Sequence, residues 1–167
     1  MNNLIKIVEG EARVVERDPW EIRDADDATV TDNSILPLDR WQALTDGAKA
    51  RAAVLLDPDD DPEALLPWLD RIELIALAFP SFRDGRAYTQ AVLLRSRLGF
   101  AGDLRAVGDV LRDQLAAMRH CGFSSFAVRE DRSAEDALKG LRHFDQIYAR
   151  SVLNPEPLFR RRGAAGA

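Results

Sequence analysis

The chain has a single cysteine, Cys121, in 167 residues. An intramolecular disulfide is therefore excluded, and a reducing compartment, the cytoplasm by default, is the expected location. Histidine is almost as scarce: His120 and His143 stand in no His-x-x-x-His arrangement, and there is no Cys-x-x-Cys. The usual zinc and haem spacings are thus missing, while the many aspartates leave a carboxylate-held Mg²⁺ open. Neither Gly-x-Gly-x-x-Gly nor Gly-x-x-x-x-Gly-Lys-Ser/Thr occurs, so no nucleotide fingerprint is present and no cofactor is indicated by the residues. No apolar run approaches the roughly 18–20 residues needed to span a bilayer. The first fifteen residues, MNNLIKIVEGEARVV, lack the apolar core and cleavage site of a signal peptide. A formal net charge of −5 argues against a general nucleic-acid binder, which needs a basic surface.

What the chain does contain is enough apolar material, 46% of residues, to bury the core of one domain. Residues 4–16 alternate around Glu9-Gly10 and predict a β-hairpin. Residues 17–34 are acidic and turn-rich and predict a surface connector, so residues 1–34 form an N-terminal unit. Residues 35–153 carry the regular pattern. Ile35–Leu44 predicts a short extended piece leading into a short helix. Ala52–Leu56 is an apolar strand, and Asp61 with Pro62 opens a helix to about Leu69. Ile72–Phe79 is the strongest strand, ended by Pro80. Ala87, Ala91, Leu94 and Leu98 share a helical face stopped by Gly99. Leu104–Val107 is the next strand, and Leu111, Leu115 and Met118 mark a helix ending at Gly122. Phe126–Val128 is the fourth strand, and Ser133 caps a long helix through Phe144 and Ile147. Residues 154–167 read as a disordered tail in which Leu158 and Phe159 could dock.

Four consecutive βα units preceded by a hairpin predict an α/β fold with parallel strands and right-handed crossovers. Two arrangements fit: a small open sheet with helices on both faces, or a half-barrel-like sheet. The half-barrel is slightly preferred, and its exposed edges favour a homodimer or another partner.

Each strand ends in charge: Asp57; then Arg83, Asp84, Gly85 and Arg86; then Gly108 and Asp109 with Arg112, Asp113 and Gln114; then Arg129-Glu130. In a parallel sheet these ends share one rim, where ligands bind. Arg83, Arg86, Arg112 and Arg129 either converge on a small anion, aided by N–H groups at helix starts, or pair with Asp84, Asp109 and Asp113 as a structural network. Asp84-Gly85 predicts a turn with a positive φ at Gly85. Asp109 is either a base or metal ligand, or a cap of the following helix. Tyr88 and Gln90 are expected to pack, and Cys121 is expected to be an inert, partly buried thiol. No catalytic residue can be named from these patterns.

The segments FPSFRDGRAYTQAVLLRSRLGF, LRAVGDVLRDQL and CGFSSFAVRED resemble a bacterial family catalogued as domain of unknown function 934. The residues that carry the resemblance are Phe79, Pro80, Phe82, Asp84, Gly85, Arg86, Leu104 to Val110, Asp113, Gln114 and Cys121 to Phe123. ILPLDRWQA from Ile35 is similar as well. Members are commonly described as probable oxidoreductases involved in sulfite reduction, by association with sulfate-assimilation genes. The resemblance therefore implies an accessory role beside sulfite reductase or its electron donor, and it carries no established active site.

Overall fold

A computed structural model describes residues 3–23, 30–141 and 150–156. The hairpin forms as the alternation predicts: β1 (Leu4–Val8) pairs antiparallel with β2 (Glu11–Val15). Glu9 and Gly10 turn it with φ of 52° and 85°, the left-handed pair required by a tight two-residue turn. The parallel part comprises β3 (Glu21–Ile22), β4 (Ser34–Pro37), β5 (Ala53–Leu56), β6 (Leu74–Phe79), β7 (Asp103–Gly108) and β8 (Ser125–Ala127). All eight strands join one sheet in the order β2-β1-β8-β7-β6-β5-β4-β3.

From β3 to β8 the spatial order follows the chain order without reversal, and every neighbouring pair is parallel. Such single winding places successive crossovers on the same side. Side-chain burial agrees. Val54, Leu56, Ile75, Leu77, Phe79, Leu104, Ala106 and Phe126 face the large core. That core also takes residues from α1 (Leu38–Gln42), α3 (Arg86–Val92), α4 (Leu115–His120) and α5 (Ala134–Leu138). Short α2 (Asp46–Lys49) buries no residue. The alternate positions Ile35, Ala53, Leu74, Ala76 and Val107 form a separate cluster on the opposite face, joined by Trp20. Helices on one face and a curled sheet make this a half-barrel, not a doubly covered open sheet.

The count of four βα units falls short. Ile35 and its neighbours form a full parallel strand, β4, followed by α1 and paired with β5, and β3 adds a further strand outside it. The connector also departs from a purely surface role, because its Asp18 and Trp20 turn onto the inner face. Local signals at other helix starts hold. Asp61 accepts from the Glu63 N–H at 2.9 Å and opens a 3-10 segment, Pro62–Trp68, in place of an α-helix. Ser133 accepts from the Asp136 N–H at 3.3 Å at the start of α5. The expected continuation through Phe144 and Ile147, and the tail beyond Glu156, lie outside the described residues.

Candidate functional site

The C-terminal ends of the parallel strands meet on one rim, and the structure sorts the expected site residues there into three groups. The first surrounds the loop after β6. Asp84 accepts from the Arg86 backbone N–H and Nε, both at 3.1 Å, and from its Nη2 at 2.8 Å. Arg86 also pairs with Asp59 from the loop after β5. The side-chain bond to Arg86 holds the Asp84 carboxyl below the usual carboxylate range. Gly85 has φ −96°. The turn is present without the positive φ expected of it, because Asp84 accepts the Arg86 N–H and the chain runs directly into α3. Behind this loop Gln90, buried, donates to the carbonyls of Asp57 and Asp60 at 2.9 Å each and so fastens α3 to the neighbouring rim loop.

Asp109 organises the second group. Its Oδ2 accepts from the Phe82 backbone N–H at 2.7 Å, and its Oδ1 accepts from Arg129 Nη1 at 2.6 Å. Arg129 completes a two-pronged contact with Asp131 at 2.6 and 3.0 Å. Asp109 thus caps no helix: it ties the β6 loop to the end of β8. Gly108, beside it, has φ 95°, and a Cβ there would lie 2.5 Å from the Phe79 carbonyl oxygen. That oxygen accepts the Asp109 N–H at 2.8 Å. Only glycine fits where β7 passes β6 this closely.

The third group sits apart, between the start of α4 and α5. Arg112 lies 3.3 Å from Asp136, and these residues with Asp113, Arg132 and Ser133 line a small cleft of about 340 Å³. Gln114 is buried, and its Oε1 accepts from the Leu111 N–H at 2.9 Å, which makes it a helix-start residue.

The four named arginines therefore reach the same rim by different engagements. Arg86, Arg129 and Arg112 each face a carboxylate. Among the described residues the Arg83 guanidinium has no such partner; only its backbone N–H is engaged, by Ser81 Oγ at 3.3 Å. Its neighbour Phe82 is 50% exposed. The loop carrying this pair is held at one end by Asp109 and at the other by Asp84.

Residues that sequence reasoning passed over form a polar knot on the inner face. Arg105, fully buried in the middle of β7, pairs with Asp18 and lies 3.2 Å from Asp103. Its Nε donates to Ser125 Oγ at 3.1 Å. Lys6 on β1 reaches Asp103 at 3.2 Å. Burial acts to raise the Asp103 carboxyl. The Ser124 hydroxyl, Arg105, Lys6 and the Ser125 hydroxyl outweigh it and hold the group below its ordinary range. The available signal was a single arginine inside the apolar run Leu104–Val107, since a buried charge requires partners.

Just beyond this knot, toward the rim, the inner face opens into a cavity of about 660 Å³ whose lining includes Val107, Gly108, Ala127, Arg129, Glu130 and Asp131. On the far side, Cys121 ends α4 in a groove of about 650 Å³ with Val92, Ser96, Ala116 and Ala117. Burial raises its thiol pKa, consistent with an unreactive cysteine. Among the described residues no helix is long and apolar enough to cross a membrane.

These features define a mixed α/β half-barrel whose strand-end rim is rich in paired charges. The match to a family of bacterial proteins of unknown function, DUF934, covers residues 53–159, from β5 through the rim loops and beyond, and the chain belongs to that family. No curated protein matches the chain.

Proposed function

We propose that the chain is an accessory protein of assimilatory sulfite reduction that docks on sulfite reductase or its electron donor through the loop after β6. The observation that carries the docking surface is Phe82 and Arg83 side by side, exposed, on a loop anchored by Asp109 and Asp84. Aromatic and arginine side chains contribute most to protein interfaces, and a pre-anchored loop loses little freedom on binding. The pathway comes from the description attached to the resembling family. In a host lacking the native gene, wild-type protein restores growth on sulfate as sole sulfur source, and Phe82→Ser/Arg83→Glu does not, although both strains grow equally on cysteine. Equal growth of the two on sulfate contradicts the proposal.

A second reading is a small enzyme acting on an anionic substrate at the strand ends. The cavity of about 660 Å³ bordered by Gly108 and Arg129 favours it. It requires that the purified protein bind a phosphorylated or sulfur-containing anion at millimolar concentration.

A further inference from the structure

We propose that a second copy of this chain pairs with the free edge of β2, joining two half-barrel sheets through an antiparallel, two-fold strand pair centred on Ala12. This surface is independent of the docking loop after β6. β2 ends the sheet, with β1 as its one strand neighbour among the described residues. The direction of its backbone groups follows from β1. The Ile7 N–H donates to Ser124 O at 2.8 Å, and Asn3 O accepts the Val128 N–H at 3.1 Å, so Asn3, Ile5 and Ile7 address β8. Leu4, Lys6 and Val8 therefore address β2, opposite Val15, Arg13 and Glu11. That leaves the N–H and C=O groups of Ala12 and Val14 pointing off the edge. An open strand edge is a template for a further strand. β3, at the other end of the sheet, has two residues and offers no comparable template. One usable edge per chain gives a closed pair, not a filament.

Charge selects the partner and the register. A run of like charge on an edge repels an identical strand. β2 instead carries one charge of each sign, Glu11 and Arg13, on the same face. Their side chains are 73% and 60% exposed and pair with each other at 2.9 Å. With Ala12 opposite its own copy, Glu11 of each chain lies directly across from Arg13 of the other, so the pair occurs twice in the interface. Residues opposed in this way bring their Cβ atoms to about 4.5–5.5 Å, closer than the roughly 7 Å between positions i and i+2 of one strand. Centring on Val14, the other residue with outward groups, sets Arg13 against Val15 and loses both pairs. Ala12 is small enough to sit at the two-fold, and Ala12 and Val14 keep their packing against the large core.

The test is sedimentation velocity of the full chain from about 5 to 500 µM, as wild type, Glu11→Arg, Arg13→Glu and an equimolar mixture of the two variants. The wild type is expected to pass from monomer to dimer across that range, as suits an interface of small area. Each single variant sets like charges opposite each other twice, and its dimerisation weakens about tenfold or more. Mixing the two variants restores it, because each altered edge then meets the opposite charge at both positions. Dimers formed through any other surface are indifferent to the mixing. A wild type still monomeric at about 500 µM, single variants that dimerise like the wild type, or a mixture no better than its components would overturn the proposal.

Discussion

Gly108→Ala is expected to lower stability by about 2–4 kcal/mol, a large fraction of what holds a domain of this size together. Two independent effects add. The backbone there sits at φ 95°, a region that costs an L-residue about 1–2 kcal/mol. The new Cβ also falls 2.5 Å from the Phe79 carbonyl oxygen, a backbone atom in the central β6–β7 pair that cannot swing away as a side chain could. Relief requires the two strands to part at their ends, which lengthens the bond from the Asp109 N–H to Phe79 O. Asp109 then loses its placement against Phe82 and Arg129. Urea unfolding followed by circular dichroism measures the loss. A change within about 0.5 kcal/mol, the range of an ordinary surface substitution, would show that the close approach is not a real constraint.

Arg105→Met is expected to cost about 3–5 kcal/mol, because it removes the guanidinium that faces the buried carboxylates of Asp18 and Asp103. Removing one partner of a buried pair is the damaging step. Removing both cancels the uncompensated charge, so Asp18→Asn/Arg105→Met recovers part of the loss. The same network governs the acid limb. Asp103 has a folded-state pKa below its unfolded value, so its contribution is complete above the ordinary carboxylate range. It is lost as pH falls through the lowered folded value. Without Arg105 one of the groups that depress the Asp103 pKa is gone, and stability begins to fall at higher pH than in the wild type. Urea unfolding at neutral pH and along a descending pH series reads both effects. A single variant no less stable than the double one, with an unchanged acid limb, contradicts the account.

The order of elements was legible because its signals are local. Asp61 before Pro62, Ser133 before α5, Glu9-Gly10 at the hairpin and the uninterrupted apolar run of β6 each act within a few residues of chain. Single winding followed from the βα alternation, but whether helices lay on one face or two depended on how alternate strand positions were buried. Those positions are apolar on both sides of β5 and β6, so the pattern could not choose. The candidate rim residues follow strand ends, as the apolar runs before them imply, while their partners were not visible. Asp109 meets Phe82 across 27 positions, and Arg105 meets Asp18 across 87. Such pairings are created by the sheet, and composition assigned Asp18 to a surface connector. Gly85 was assigned a positive φ from the Asp-Gly dipeptide, yet the hydrogen bond from the Arg86 N–H to Asp84 favours an ordinary negative φ there.

The proposed docking surface is two exposed side chains on a loop held by paired ones. In the proposed docking role Phe82 and Arg83 supply the contact, and Asp109 and Asp84 hold the loop that carries them. The distinction has a direct consequence, since replacing the contact pair spares the fold while replacing the anchors disturbs both.

The most direct measurement is biolayer interferometry of the immobilised chain against purified sulfite reductase and, separately, its purified electron donor, with Phe82→Ser/Arg83→Glu as the comparison. The account predicts saturable binding to one of the two, weakened at least tenfold in a variant that unfolds at the wild-type temperature. Absence of binding to both, or equal binding by the variant, would contradict it.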